Sequence, residues 1–272
     1  MNTLEIRYLN IDLRQGFPRH WLGGDAFRTQ LFNAQSMSFP LGEQYFIDSV
    51  RSALPLIRND DLRVQIKGFI GQEATHRQMH AQYNAELGKQ GLSYWIGPFV
   101  AWRIRLARRL SVRSNLAITM AYEHFTAIFS DAVLGEPQWL ADAAEPVRTV
   151  WLWHSAEETE HKSVAFDTYH AIGGGYMRRI AWFLYVTLLF SGDTLLQTTH
   201  NLYRDGSLWQ PRIWWQGMKY CFGKNGLFRF SLPHYLAYFR PGFHPWDRDN
   251  LAQTQQWLNQ QRAIFRKIGT PE

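Results

Sequence analysis

Cysteine is all but missing from this 272-residue chain, where Cys221 stands alone. That excludes a disulfide framework within the chain, and a metal site built on several thiolates. Long apolar runs are missing too. The longest, Ile180 to Phe190, reads IAWFLYVTLLF, and its 11 residues are too few to span a bilayer. Met1 to Gly16 carries charges throughout and holds no apolar stretch of the length a secretory signal needs, so none is expected there. Apolar residues alternating with a period of two are scarce, which argues against a sheet protein.

What is present points to a packed globular chain. Hydrophobic residues make up 46% and charged residues 19%, a balance that can fill a core and argues against disorder. Aromatic residues reach 15%, with 12 Trp, and many of them follow residue 176. The net charge is +6 and the pI about 9.5. Much of the basic excess lies in Arg103, Arg105, Arg108, Arg109 and Arg113. That stretch reads either as a solvated helix face or as a patch for a membrane surface or an acidic partner. No zinc finger or aromatic-basic ribonucleoprotein signature is present, so nucleic acid is not an expected partner. The expected location is cytoplasmic, with peripheral membrane contact left open.

Periodicity and breakers predict a nearly all-α chain. Residues 1–36 read as an irregular, partly extended arm with Pro18, Gly23 and Gly24. A first helix is expected to start at Pro40, in its first turn, and to end by Pro55. A second runs from a cap at Asn59-Asp60-Asp61 to Leu87-Gly88. A third, basic helix covers Trp95 to Leu110. A fourth runs from a cap at Ser114 to Gly135, and a fifth from Pro146 through Tyr169 to the break at Gly173-Gly174-Gly175. Four more are expected at about 176–204, 208–222, 226–238 and 248–267, separated by Gly206, Gly223 and Pro241-Gly242. The organisation expected is an arm (1–36), a metal-binding bundle (37–175) and an aromatic helical extension (176–272).

Four of these helices each bring an acid into an apolar setting: Glu43, then Glu73 with His76, then Glu123, then Glu158 with His161. Residues three apart share a helix face, so Glu73 and His76 point the same way, as do Glu158 and His161. One carboxylate oxygen and one imidazole nitrogen from a shared face can chelate a metal ion. Two such helices facing two helices with one Glu each can enclose two ions, the arrangement of ferritin-like di-iron proteins. Glu-x-x-His alone is a weak signal. The ordered series Glu, Glu-x-x-His, Glu, Glu-x-x-His on four separate helices is a strong one. The competing reading, ordinary solvated glutamates, conflicts with Phe69, Ile70, Trp151, Trp153, Val164 and Phe166 around the motifs, since buried acids require compensating charge.

The runs Phe39-Pro40-Leu41-Gly42-Glu43, Gly71-Gln72-Glu73-Ala74-Thr75-His76, and Trp153-His154 through Glu158, His161 and Lys162 resemble a bacterial family described as predicted metal-dependent hydrolases, grouped with the ferritin-like proteins. The resemblance covers roughly residues 36 to 240. It implies a ferritin-like four-helix bundle with a di-metal core and additional C-terminal helices. His154 precedes Glu158 by four residues and shares its face. The pattern His-x-x-x-Glu-x-x-His is similar to that of di-iron arylamine N-oxygenases. That likeness implies a ligand set of Glu43, Glu73, His76, Glu123, His154, Glu158 and His161, and carries no implication about amine substrates.

Around this set, His80 lies one turn beyond His76 and Glu157 flanks the second motif. Both are candidates to orient a ligand, and Tyr122 is a candidate hydrogen-bonding or redox neighbour or a core residue. His124 points some 100° away from Glu123 on an ideal helix, and Glu160 reads as a solvent or salt-bridge residue. Carboxylates with imidazoles suit Fe, Mn and Zn. Four carboxylates favour two iron ions and an O2-dependent oxidase or oxygenase acting on an apolar organic substrate. A di-metal hydrolase and a non-enzymatic iron-binding protein are the alternatives. Expected partners are a small-molecule substrate, O2 and an electron donor, with a homodimer left open. Glu73 and Glu158 are expected to bridge.

Overall fold

The computed structural model describes residues 4–268. The ends of the expected arm and extension, residues 1–3 and 269–272, lie outside the described residues. The chain is all-α apart from one small ribbon. Strand β1 (Ile6–Leu9) pairs antiparallel with β2 (Phe265–Ile268), so the two ends of the chain meet. Between them run α1 (Ala26–Ala53), α2 (Asp60–Lys89), α3 (Gly97–Ala107), α4 (Val112–Gly135), α5 (Val147–His161), α6 (Val164–Ala171), α7 (Tyr176–Asp205), α8 (Pro211–Phe222), α9 (Leu227–Ala237) and α10 (Leu251–Gln260).

Helices α1, α2, α4 and α5 form the central bundle: α1 packs on α2 and α4, and α5 packs on α4 and α2. One Glu from each of two helices and Glu-x-x-His from each of the other two is an arrangement like that of ferritin-like bundles. The long α7 lies across α1 and α4, and α8 and α9 follow it onto the same bundle. Phe183 and Val186 of α7, with Tyr238 and Phe243, join Tyr45, Phe69 and Phe166 in one apolar core. A second core surrounds Trp21, Phe32, Tyr83, Trp151 and Trp153.

Several boundaries differ from those expected. The first helix starts at Ala26, capped by Asp25 accepting from Arg28 N, and runs straight through Pro40. Proline inside a helix deprives the carbonyl four residues earlier of its donor. Here that carbonyl is Ser36 O, and Asn84 Nδ2 of α2 donates to it at 2.9 Å. The neighbouring helix therefore supplies the missing bond. The fourth helix is capped by Ser111 rather than Ser114. The expected fifth helix is two, α5 and α6, interrupted at Lys162-Ser163. Lys162 Nζ is held there by Arg248 O and Asn250 Oδ1, both at 2.7 Å. The last helix ends at Gln260, and Phe265–Ile268 is a strand because it pairs with Ile6–Leu9, a partner invisible to local periodicity. The apolar run Ile180 to Phe190 belongs to a 30-residue helix that is long and apolar enough to cross a membrane by length and composition.

One close approach matters for the site. Gly68 and Gly71 of α2 face β1, where an added Cβ would fall 2.6 Å from Leu4 Cβ and 2.1 Å from Ile6 Cδ1. Two missing side chains let β1 lie against α2, and β1 carries Arg7 inward, where it is buried.

Candidate metal centre

The seven side chains singled out by sequence converge from α1 (Glu43), α2 (Glu73, His76), α4 (Glu123) and α5 (His154, Glu158, His161), and all are buried. They divide into two groups. Glu43, His76 and His154 form one, and Glu73, Glu123, Glu158 and His161 the other, with candidate donor atoms in each lying within 4.8 Å of one another. Glu158 joins the groups. Its Oε1 is 3.4 Å from His76 Nδ1 and 3.5 Å from His154 Nε2, while its Oε2 is 3.5 Å from His161 Nε2. His161 Nε2 also lies 3.1 Å from Glu73 Oε1 and 3.6 Å from Glu123 Oε2.

Their donors face each other without satisfying each other. Both carboxylate oxygens of Glu43, Glu73 and Glu123, with Glu158 Oε2, His76 Nδ1 and His161 Nε2, are buried without a hydrogen-bond partner. Buried polar atoms are normally paired, and so many orphans gathered together are what bound cations would satisfy. The residues therefore fit bound metal ions: carboxylates supply balancing negative charge, and the donors are oxygen and imidazole nitrogen.

The outer nitrogen of each histidine is held. His76 Nε2 meets Glu157 Oε2 at 3.0 Å, and Glu157 Oε1 accepts from Arg7 Nη1 at 3.2 Å. Arg7 also binds Glu160 Oε2 at 2.6 Å. His161 Nδ1 meets Gln72 Oε1 at 2.9 Å. Gln72 Nε2 donates to Glu160 Oε2 and Glu5 O, both at 3.0 Å, so its oxygen must be the acceptor and His161 Nδ1 the donor. In the neutral ring that leaves His161 Nε2 with a free lone pair.

His154 is set by a longer relay. Asn84 Nδ2 is committed to Ser36 O, so Asn84 Oδ1 accepts from the Ser36 hydroxyl at 2.9 Å. With its only proton used, Ser36 Oγ accepts from His80 Nδ1 at 2.9 Å. Neutral His80 then accepts at Nε2 from His154 Nδ1, 3.2 Å away, which frees His154 Nε2. Burial, and the charge of neighbouring His154 and His76, push His80 well down, in keeping with a neutral ring. The carbonyl orphaned by the helix-interior Pro40 thus anchors the relay that puts the proton of His154 on Nδ1.

Charge preference follows from the same geometry. Burial raises the carboxyls of Glu43 and Glu123 well above the usual range, and the neighbouring carboxylates add to it. Burial and Glu158 likewise raise Glu73 against the pull of His161. Burial works against charge on His76, but Glu157 and Glu158 outweigh it and lift the ring to about 10. His161 is raised in the same way, with Glu158 and Glu73 outweighing burial. Burial pushes His154 down to about 3, with help from His76. Glu158, ringed by histidines, sits well below its ordinary value despite burial. Cations in the two groups would displace the protons of His76 and His161 and release the carboxylates from repulsion.

Of the other candidates, His80 and Glu157 hold ligand-group histidines as described. Tyr122 packs against Phe46 and Phe190 and, among the described residues, is not hydrogen-bonded to any of the seven. His124 turns away and contacts His234 O at 3.1 Å. Arg7, Ser36 and Asn84 are not singled out by the sequence, and Gln72 stands there only as part of a motif run, without a role. Gln72 and Asn84 do carry a helical-spacing signal, four residues before His76 and four after His80, whereas Arg7 carries none.

An apolar cavity of about 470 Å³ adjoins the site between α1, α3, α4 and α7. Phe39 and Gly42 on α1 and Tyr122 on α4 line the side nearest Glu43 and Glu123. Phe39 is stacked on His154, with ring centroids 4.8 Å apart and planes 8° from parallel. An apolar cavity therefore lies against the charged cluster.

Comparison with known proteins gives one match. The family model described as "Predicted metal-dependent hydrolase" covers residues 5–249. No curated protein and no solved structure matches the chain.

Proposed function

The chain belongs to the predicted metal-dependent hydrolase family, and from that premise we propose that it is a di-metal enzyme that hydrolyses an ester or amide of an apolar small molecule. The observation that carries the reading is Glu158, whose two oxygens reach different groups of buried, unpaired donors. In this reading Glu43, His76 and His154 would hold one ion, and Glu73, Glu123 and His161 the other, with Glu158 serving both. When bound, the ions supply Lewis acidity and a nucleophile from water at neutral pH.

The chain's own groups do the rest. Glu157 with Arg7, Gln72, and the His80 relay hold the three imidazoles in the tautomers that face inward. The cavity takes up the apolar part of the substrate and excludes water from the cluster beside Phe39 and Gly42.

A second reading is O2-dependent oxidation of an apolar substrate by a di-iron form. The carboxylate-rich donor set favours it, since four carboxylates beside three imidazoles suit iron as well as manganese or zinc. One experiment separates the two. The protein is stripped of metal and reloaded with Zn, Mn or Fe(II), then offered acyl esters and amides of increasing chain length. The Fe(II) form is mixed with O2 in a stopped-flow spectrometer. Turnover by the Zn or Mn form, abolished in Glu158→Ala, is the expected result. Inert Zn and Mn forms together with rapid ferric absorption on mixing with O2 would replace hydrolysis by oxidation.

A further inference from the structure

Helix α7, long and apolar enough to cross a membrane by length and composition, is also one of the least covered. Along α7, Met177, Leu184, Leu188 and Leu195 follow each other at helical spacing and face solvent, with Met177 76% and Leu188 75% exposed. The opposite face of the helix is spent on the bundle, where Phe183, Val186, Gln197 and Leu202 are buried. Helix α3 lies alongside: Trp95 stacks on His200, and Arg103 pairs with Asp193. It too shows an apolar face outward, through Phe99, Trp102 and Leu106.

Charge around this surface has one sign. No Asp or Glu occurs between Glu86 and Glu123, the stretch that contains α3, nor from Gly206 to Trp246, the stretch that contains α8 and α9. The two acids of α7, Asp193 and Asp205, are ion-paired with Arg103 and Arg19. Arg105 and Arg109, on the flank of the Trp102 and Leu106 face, and Arg178, next to Met177, are exposed and form no ion pair among the described residues.

We propose that the exposed faces of α3 and α7 dock on an anionic lipid bilayer, with α7 lying in the plane of the interface and the unpaired arginines among the headgroups. An apolar stripe rimmed by unpaired cations is the pattern of an interfacial helix. A membrane-crossing α7 is ruled out by its buried face, which would drag α1 and α4 into the hydrocarbon with it. A second copy of the chain is disfavoured by charge, since pairing this face with itself sets the same unpaired arginines against each other. The walls of the apolar cavity include Phe99, Trp102 and Leu106 of α3 and Tyr185 of α7, so the cavity borders the docking face. Uptake of an apolar substrate from the leaflet rests on the function proposed above; docking itself does not.

The test is flotation of the full-length protein with vesicles of phosphatidylcholine, alone or mixed with phosphatidylglycerol, at low and high NaCl. The protein is expected to float with the anionic vesicles at low salt and to be released as salt rises. Arg105→Ala with Arg109→Ala should weaken binding about fivefold per residue. Leu184→Glu, Leu188→Glu and Leu195→Glu combined should abolish it. Since that variant could misfold, the unsubstituted protein is also mixed with bromolipid vesicles, and quenching of tryptophan emission is expected from Trp102 at the interface. Failure to float with anionic vesicles at low salt, or flotation without bromolipid quenching, overturns the proposal. So does a salt-resistant dimer that ignores vesicles and is lost in the triple variant. Hydrolytic activity on water-dispersed substrate is measured in parallel, so loss of docking and loss of the proposed reaction are read separately.

Discussion

Replacing Glu157 by Gln tests whether the surroundings of the cluster set the state of His76. Glu157 is fully buried and serves two donors at once, His76 Nε2 at 3.0 Å and Arg7 Nη1 at 3.2 Å. Glutamine keeps the shape but has one acceptor and one donor end. If its oxygen faces His76, its NH2 meets the Arg7 guanidinium. If its oxygen faces Arg7, its NH2 forces His76 to accept at Nε2 and carry its proton on Nδ1, the atom that faces Glu158. Either arrangement weakens a cation held by Glu43, His76 and His154. Loss of such a supporting hydrogen bond costs roughly tenfold to hundredfold in metal affinity, or about 1.4–2.7 kcal/mol. Arg7 keeps Glu160 at 2.6 Å, so the fold should persist. The assay is competitive titration of stripped protein against a chromophoric chelator, resolving the two binding steps. One step should weaken by that factor, and the step assigned to Glu73, Glu123 and His161 should change much less. Two unchanged steps, or two equally weakened ones, would refute the reasoning.

Other consequences follow from the same geometry. His161→Ala should lower bound metal from two ions to one, measured by elemental analysis of the purified variant; full retention would remove His161 from the ligand set. Metal-free protein should lose stability from about pH 6.5 to 8. His76, lifted to about 10, and His161, also raised, keep in the folded state protons that the unfolded chain gives up above about pH 6.5. Their contribution is complete below that pH and is lost as the pH climbs toward the folded values, by about 1.4 kcal/mol per pH unit for each proton. Urea unfolding across this window, with and without metal, checks it, and metal should flatten the slope. Gly42→Ala should stabilise the protein by about 0.5–1 kcal/mol, because glycine inside a helix is unfavourable. The added Cβ would meet only Phe46 Cζ at an ordinary 3.8 Å, so a lower melting temperature would contradict the cavity geometry.

The ligand pattern was legible because it is helical and local. Glu73 with His76, and His154 with Glu158 and His161, announce a shared face through spacing alone, and the structure brings them together but splits each set between two groups. The division into two groups was not legible, since it depends on how α1 and α4 sit against α2 and α5. Supporting residues were visible in proportion to their sequence distance. Glu157 adjoins its motif, but Arg7 reaches it from a strand 150 residues away, placed by two glycines of α2. Pro40 misled the reading of the first helix because the compensating donor, Asn84, lies on another helix. The strand Phe265–Ile268 was missed for the same reason: its pairing partner is at the other end of the chain.

The central claim is that two cations share Glu158 between separate ligand groups. Anomalous diffraction at the metal edge, from crystals of metal-loaded protein, addresses it directly. The account predicts two peaks on the order of 4 Å apart, one among Glu43, His76 and His154 and one among Glu73, Glu123 and His161, with a Glu158 oxygen toward each. A single peak, or peaks away from these side chains, would contradict it.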